Sequence, residues 1–459
     1  MTYAENLAMF VDRASWQDIS DQARKALKIR VLDSIGCAIG ALEGEPIRIL
    51  RSMIREFGGK EHSTLVGGGK TAPDRAAFYN GALIRYLDFN DSYLAKGETC
   101  HPSDNLGAIL AAGEYAGASG RELLTALAVA YQVQCRLSDV APVRDRGFDH
   151  VTQMVFSAAA GVCKILKLDL ERTANALAIA GTAYNALRVT RTGALSHWKG
   201  LAAPNTGRNA LHAAFMAKYG ITGPPQVFEG NKGWMETVSG YWELDWAQED
   251  LERVSRTIIK KYNAEIHSQS AIEGALDLKH EHNLRPEEID AVHIAIFDVA
   301  YKIIGGGEEG DKTIVQVKEE ADHSLQYMVA VALLDDRVLP EQYLPERILR
   351  DDVQTLLNQV SVVPDKTYSE RFPDEVGCKI TITTRDGRKF VKEKRDYEGF
   401  LTRPSTWETV ENKFRFLSSA YADERHQKEI LNVIDRLEEV QVREFVNLLA
   451  TMETFSPDQ

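Results

Sequence analysis

The sequence predicts a mainly α-helical protein: a large all-helical domain with a smaller inserted α+β lid domain. Residues 1–265 repeat apolar side chains at helical spacing, whereas the chain from about residue 285 contains segments that alternate with period two. Helical sequence returns after Pro404. Because 459 residues exceed one ordinary hydrophobic core, we expect two domains, with 1–265 plus 400–459 forming the helical domain and 266–399 the lid domain.

The helical prediction rests on spacing, capping signals and composition. Residues 20–42 carry apolar side chains at helical intervals, and Ser119 with Glu122 forms a capping box ahead of LLTALAVAYQV. Segments 156–166 and 174–183 are rich in Ala and Gly, which suits helices surrounded by other helices. We therefore expect a bundle of many helices with no extended sheet.

The inserted part combines strands with one clear helix. Strands are predicted at AVHIAIF (291–297) and VSVV (360–363), and a hairpin over 379–394 with Asp386-Gly387 at its turn. Residues 323–336 predict a helix. Ser405 and Glu408 predict a capping box where helical sequence resumes.

Composition excludes several functional classes. A net charge of -13 and the lack of a lysine or arginine run argue against nucleic acid and anionic membrane as partners. The five cysteines are scattered and form no C-x-x-C pair, and no His/Cys spacing resembles a metal site, so we expect neither metal nor cofactor. The N-terminus is not that of a signal peptide, and no apolar run approaches the roughly 20 residues of a membrane span. We expect a cytoplasmic protein.

The segment DFNDSYLAKGETCHPSDN, residues 88–105, holds more ionisable groups than a connector between packed helices needs. Ser103 fits the N-cap of the following helix, and Asp104 fits its first turn. Helix capping does not explain Asp88, Ser92 or His101, which are therefore candidates for a functional site.

Three further clusters carry basic groups, and each also has a structural interpretation. RGFDHVT contains His150, which could be a buried structural histidine. Residues 186–210, with Arg188, Arg191, His197 and Lys199, could be a solvated charged loop, and residues 258–275, with Lys260, Lys261 and His267, could be a hinge with solvated lysines.

Together these clusters resemble the MmgE/PrpD family. The matching segments follow one another along the chain: RYLDFNDSYLAKGETCHPSDNLGAIL, GFDHVT, LSHWKGLAAPNTGRNAL, YGITGPPQVFEGNKGW, YNAEIHSQSAIEGA and DHSLQYMVAVALL. The resemblance implies a helical domain with an α+β lid, a cytoplasmic, metal-free homodimer, and a tricarboxylate substrate such as 2-methylcitrate.

The resemblance also implies site residues. Active-site elements of the family match Asp88, Ser92, His101, His150 (with Asp149 as an extra residue), Lys199, Lys260 and the lid tyrosine Tyr327. Asn263 replaces a family proline. Glu265 stands where the decarboxylase branch has a histidine, so the segment 264–269 looks like the dehydratase branch.

Elimination of water from a tricarboxylate needs a base, an acid and cations that hold the developing charge. His101 and His150 are candidates for the acid/base pair, with Asp88 orienting one of them and Tyr327 closing the site. The positive charge and the substrate contacts are assigned to Lys199, Ser92, Arg188, Arg191, Lys260, Lys261 and His267. Decarboxylation of cis-aconitate, epimerisation of a dicarboxylate imine, and tricarboxylate binding without catalysis stay open.

Overall fold

The computed structural model describes residues 1–452, and the chain divides into two compact units. The first unit contains Met1–Thr190, Gly200–Thr257 and the chain from Thr406; the second contains Arg191–Lys199 and Ile258–Ser405. With 59% helix and 9% strand the chain is mainly α-helical, so the predicted fold class is confirmed. The units divide after Thr257 and after Ser405, and the domain boundaries at 265/266 and 399/400 stay predictions. The assignment of 191–199 to the second unit has no counterpart in the sequence pattern.

The first unit is built from long helices that pack on one another. In chain order they are α1 (Tyr3–Arg13), α2 (Asp21–Gly40), α3 (Glu45–Phe57), α4 (Pro73–Tyr86), α5 (Leu106–Ala116), α6 (Gly120–Val140), α7 (Val151–Ile165), α8 (Leu170–Ala183) and α9 (Trp198–Lys218), whose first two residues group with the second unit. The predicted capping box at the start of α6 is confirmed, because Ser119 and Glu122 bond each other's backbone N–H. Up to α9 the only strands in the described chain are two-residue pairs, β1 (Ser63–Thr64) with β2 (Lys70–Thr71) and β3 (Tyr93–Leu94) with β4 (Thr99–Cys100).

Helices α4 and α5 flank the segment 88–105 and approach each other through two glycines. A Cβ added at Gly107 in α5 would lie 2.6 Å from the backbone nitrogen of Gly81 in α4. Since no other residue lacks a Cβ, this approach requires glycine. The close contact brings together the two ends of the segment, and the pairing of β3 with β4 folds its middle into a small hairpin.

The second unit contains a four-stranded sheet in the order β6-β5-β7-β8, formed by β5 (Ile289–Ile296), β6 (Val360–Pro364), β7 (Cys378–Thr384) and β8 (Lys389–Lys394). Strand β5 pairs with β6 in parallel and with β7 antiparallel, and β7 and β8 form the predicted hairpin with Gly387 at a φ of 86° in its turn. The unit's helices are α10 (Gln269–His282), α11 (Asp298–Ala300), α12 (Lys318–Ala321), α13 (Leu325–Asp335), α14 (Pro345–Ile348), α15 (Asp351–Leu357) and α16 (Lys366–Arg371). Helix α10 packs on β7, β8 and α13.

The chain then returns to the first unit with α17 (Trp407–Ser418), α18 (Glu424–Asp435) and α19 (Val442–Ala450). The predicted capping box of Ser405 and Glu408 is wrong by one residue. Thr406 is the N-cap, and its hydroxyl accepts the N–H of Thr409 at 3.2 Å. Both Ser405 and Thr406 can cap a helix, so the sequence alone cannot decide between them.

Helix α17 packs against α2 and fixes the start of the segment 88–105. The Lys413 ammonium donates to Asp33 Oδ1 and to the Phe89 carbonyl oxygen, each at 2.6 Å, and lies 3.6 Å from the centroid of the Phe89 ring. The C-terminal helices therefore hold the backbone next to Asp88. Among the described residues, no helix has both the length and the hydropathy of a membrane span.

The glycine contact between α4 and α5 predicts a matched pair of variants. Gly107→Ala should lower the free energy of unfolding by about 1–3 kcal/mol, because the added methyl group overlaps the backbone of α4. Gly207→Ala in α9 should be neutral or stabilising by up to about 1 kcal/mol, because its Cβ would meet Ala108 at an ordinary 3.4 Å while helix propensity improves. Chemical denaturation of both variants measures the difference, and equal effects would contradict the packing argument.

Candidate active site

The segment 88–105 is almost entirely buried in the first unit, so its charges need local partners. Asp88 follows α4 in the left-handed region, with a φ of 54°, a conformation that aspartate tolerates better than most residues. Its carboxylate forms a buried ion pair with Arg85, whose Nε also lies 3.6 Å from Asp104 Oδ2. The guanidinium of Arg85 thus joins the two ends of the segment.

Asp91 connects the middle of the segment to α6. Its carboxylate accepts the backbone N–H of Ser103 at 3.0 Å and the hydroxyl of Tyr131 at 2.8 Å. Burial raises the pKa of Asp91, and the hydrogen bonds from Ser103 and Tyr131 oppose that rise. The prediction that Ser103 caps α5 is wrong, because residues 102–105 form a separate 3-10 turn and the Ser103 hydroxyl accepts a hydrogen bond from Asn90 instead.

His101 is held through its Nδ1 atom. That atom lies 2.8 Å from the Asp91 carbonyl oxygen and 3.0 Å from the Ser92 hydroxyl. A backbone carbonyl only accepts hydrogen bonds, so the neutral ring carries its proton on Nδ1 and has its lone pair on Nε2. Ser92, predicted as a substrate contact, thus helps to hold the His101 ring.

His150 is held in the same way by a carboxylate. Its Nδ1 atom lies 2.8 Å from Oδ1 of the fully buried Asp149, the residue that is extra relative to the family motif. The rings of His101 and His150 lie 5.4 Å apart between centroids, at an interplanar angle of 70°. The structure therefore brings together the two predicted acid/base residues, and Asp149 and the Asp91 carbonyl hold their rings.

Glu98 links the loops that carry the two histidines. Its Oε2 accepts the backbone N–H groups of Val143 and Arg144, each at 3.2 Å. Burial raises the pKa of Glu98, and the positive charges of Arg144 and Arg188 oppose that rise. Arg188, predicted as a substrate contact, is half-buried beside this carboxylate. Its backbone N–H donates to the Gly147 carbonyl oxygen at 2.9 Å.

In the second unit, Lys199 binds a carboxylate that the sequence analysis did not single out. Asp322, fully buried, accepts hydrogen bonds from Lys199 and Lys318 and contacts His323 Nδ1, each at 2.8 Å. Burial opposes ionisation, but the charges of Lys199 and Lys318 prevail and lower the pKa of Asp322.

Glu265 forms a second carboxylate–histidine pair beside Asp322. Its Oε1 lies 2.7 Å from His267 Nδ1, and its Oε2 accepts the backbone N–H of His267 at 2.7 Å. The backbone N–H of Glu265 donates to the Asp322 carbonyl oxygen at 3.2 Å. Burial again opposes ionisation, yet His267, His323 and Lys260 lower the pKa of Glu265 to about 2. We call these groups the Asp322 cluster: the buried residues Lys199, Lys260, Glu265, His267, Asp322 and His323 and the partly buried Lys318.

The other predicted residues of the second unit have different partners. Arg191 is buried and donates to the Lys199 carbonyl oxygen at 2.9 Å. Lys261 forms ion pairs with Glu398 at 2.9 Å and with Glu273 at 3.3 Å. The Tyr327 hydroxyl donates to the Gln342 carbonyl oxygen. Lys199, Lys260 and His267 are therefore the predicted residues that the second unit gathers into one cluster.

Sequence reasoning missed the carboxylates that hold the histidines, although a signal was present. An aspartate directly precedes a histidine at 149–150 and again at 322–323, and both pairs form the same 2.8 Å contact between the carboxylate and Nδ1. Neighbouring residues rarely face each other in a regular helix or strand. The dipeptide is informative here because both pairs immediately precede a helix.

The low pKa of Glu265 predicts a pH-dependent contribution to stability. The pKa of Glu265 is about 2 in the folded protein, against an ordinary value of 4.5. The ionised carboxylate therefore stabilises the fold fully above pH 4.5, and this stabilisation is lost as the pH falls towards 2. Glu265→Gln should therefore lower the free energy of unfolding by on the order of 3 kcal/mol at pH 7 and by roughly half of that at pH 3. Denaturant titrations at both values test this, and a pH-independent difference would refute it.

Comparison with known proteins shows which family the sequence matches. The MmgE/PrpD N-terminal domain matches residues 5–247, and the MmgE/PrpD C-terminal domain matches residues 262–439. The chain is similar to 2-methylcitrate dehydratase of Escherichia coli (strain K12), with 29% identity over 91% of each chain. It is also similar to an alkylcitrate dehydratase of a fungal species, with 28% identity over 92% of this chain and 88% of the relative.

A third relative is the cis-aconitate decarboxylase of Mus musculus, with 24% identity over 95% of this chain and 91% of the relative. Dehydratases and decarboxylases are lyases, and the chain is an enzyme of that class. The two domain matches span most of the chain, which therefore belongs to the MmgE/PrpD family.

Proposed function

We propose that the chain dehydrates 2-methylcitrate to 2-methyl-cis-aconitate without a metal ion. The observation that carries the proposal is the buried pair of His101 and His150, whose rings lie 5.4 Å apart and are each held through Nδ1. Relatives named 2-methylcitrate dehydratase support this substrate. The homodimer and the cytoplasmic location implied by the family resemblance stay predictions.

The reaction needs two proton transfers. One C–H bond adjacent to a carboxylate breaks and its proton goes to a base, while the C–O bond of the neighbouring hydroxyl breaks and an acid supplies the proton that releases water. A positioned imidazole suits both tasks because its protonated and neutral forms coexist near neutral pH. Each ring is held through Nδ1, and in this proposal proton transfer is assigned to the Nε2 atom of each ring.

The two histidines differ in what holds them, which supports different roles. The Asp149 carboxylate lies next to Nδ1 of His150, and its negative charge favours the imidazolium form of the ring, as in other carboxylate–histidine pairs. The Nδ1 atom of His101 contacts two neutral groups, the Asp91 carbonyl oxygen and the Ser92 hydroxyl. In the proposal His150 holds the proton for the departing hydroxyl, and His101 accepts the proton from carbon.

In this proposal, the binding of the tricarboxylate's negative charge is assigned to buried lysines. Lys199 and Lys260 are buried, with 3% and 1% of their surfaces exposed, and a buried ammonium attracts an anion more strongly than a solvated one. Asp322 fixes the Lys199 side chain. Lysines held in this way can stabilise the charge that develops on the substrate carboxylate during proton removal.

Decarboxylation of cis-aconitate is the second outcome that must be tested. The family resemblance associates a histidine with the decarboxylase branch at the position of Glu265, and here that position carries an ionised carboxylate bound to His267. An anion at this position supports dehydration over decarboxylation.

Proton NMR in deuterated water on a substrate panel tests the proposal directly. In buffer containing a chelator, we expect the protein to convert 2-methylcitrate to 2-methyl-cis-aconitate. Turnover of cis-aconitate with loss of carbon dioxide would establish decarboxylation instead, and α-proton exchange without net loss of water would indicate epimerisation. Activity that disappears with chelator and returns with iron or zinc would refute the metal-free mechanism.

His101→Ala should lower kcat/KM by at least about 100-fold, the usual contribution of a positioned acid or base. His280→Ala is the matched control, because this histidine is 62% exposed on α10. Steady-state kinetics and thermal melts are compared for both variants. A lowered melting temperature with near-normal kinetics for His101→Ala would mean that His101 only supports the fold.

A further inference from the structure

Lys312 lies beside the Asp322 cluster but belongs to none of its ion pairs. It sits in the irregular segment between residues 306 and 317 and is only 6% exposed. Its carbonyl oxygen accepts the Ser324 hydroxyl at 2.5 Å, and Ser324 is the N-cap of α13, directly after Asp322 and His323. This bond fixes the Lys312 backbone next to the start of the helix that carries the cluster.

The Lys312 ammonium has charged neighbours but no bonding partner. Within residues 1–452 it makes no hydrogen bond and no ion pair, whereas Lys199 and Lys318 each contact Asp322 at 2.8 Å. Burial lowers the pKa of Lys312 most; Glu309, Glu265 and Asp322 oppose that shift, while the charge of Lys199 adds to it. Lys312 therefore bears the cost of desolvation and of a like charge without a hydrogen bond in return.

Among the charged groups of the second unit that interact with Lys312, Glu265 or Asp322, lysines outnumber carboxylates. The lysines are Lys199, Lys260, Lys312 and Lys318, and the carboxylates are Glu265, Glu309 and Asp322. Protonation of His267 or His323 would add to the excess. An anionic ligand with oxygen acceptors would offset this charge and supply the missing partner of an ammonium with three donors.

We propose that Lys312, with Lys199, forms a carboxylate-binding subsite that lets the enzyme favour tricarboxylates over dicarboxylates. The inference rests on the proposed function, because it takes the substrate to be a tricarboxylate. Lys312 acts as a binding residue for one carboxylate in the substrate and the transition state alike. Its loss should therefore raise KM with little change in kcat.

Stability separates this role from a structural one. Lys312→Met removes a buried charge that has no partner, so the melting temperature should hold or rise. Lys394→Met is the matched control in the same unit, because Lys394 is 14% exposed and binds Glu273 at 2.7 Å and Asp277 at 2.8 Å. That variant should melt at a lower temperature and keep the ligand affinity of the wild type.

Isothermal titration calorimetry with three non-reacting ligands tests the subsite. Tricarballylate carries three carboxylates, glutarate lacks the central one, and 2-methylsuccinate lacks a terminal one. Lys312→Met should weaken tricarballylate binding by about 10- to 100-fold, the value of a hydrogen bond to a charged group. It should leave at least one dicarboxylate within about 3-fold of its wild-type affinity. Lys312→Arg should recover part of the loss.

The outcomes distinguish this inference from the proposed function. Unchanged tricarballylate affinity in Lys312→Met, or equal weakening of all three ligands, would overturn the Lys312 subsite while the proposed function stands. A lowered melting temperature together with equal weakening would assign Lys312 to the fold. Failure of the wild-type protein to bind or convert any tricarboxylate would overturn the proposed function and this inference together.

Discussion

The burial of ionisable groups among helices is the constraint on which the rest of this structure depends. An uncompensated buried charge costs several kcal/mol, so each buried carboxylate fixes the position of whatever neutralises it. In the first unit, Asp88 requires Arg85, Asp91 requires Tyr131 and the Ser103 N–H, and Glu98 requires backbone N–H groups of the loop before His150. The segment 88–105 is therefore ordered by charge compensation as well as by hydrophobic packing.

The same constraint explains a contact between a carboxylate and a histidine that occurs three times. Three carboxylate–histidine pairs use the same contact to Nδ1: Asp149 with His150, Asp322 with His323 and Glu265 with His267. Each pair determines which ring nitrogen carries the proton and limits rotation of the ring. In the proposed function, this fixed orientation would be the preorganisation that makes electrostatic catalysis effective.

Stability and the proposed chemistry make opposite demands at two residues. Asp88 holds a left-handed backbone conformation that its ion pair with Arg85 and the neighbouring Lys413–Phe89 bond maintain. Lys312 is a buried cation with no bonding partner among the described residues. Neither arrangement is what stability alone would select. Asp88 is itself a predicted catalytic residue, and Lys312 lies beside the Asp322 cluster.

The sequence by itself determined the fold class and most of its elements. Period-two alternation identified β5 and the β7–β8 hairpin, and the Ser119 capping box marked the start of α6, because these signals depend on residues close together in the chain. It also identified the four clusters and the family.

Only the tertiary structure revealed the partners of the buried charges. Lys199 and Asp322 lie 123 positions apart, and no local period encodes such a pairing. Asp149 likewise seemed an extra residue until its carboxylate was seen at His150 Nδ1, since side-chain direction depends on the surrounding packing.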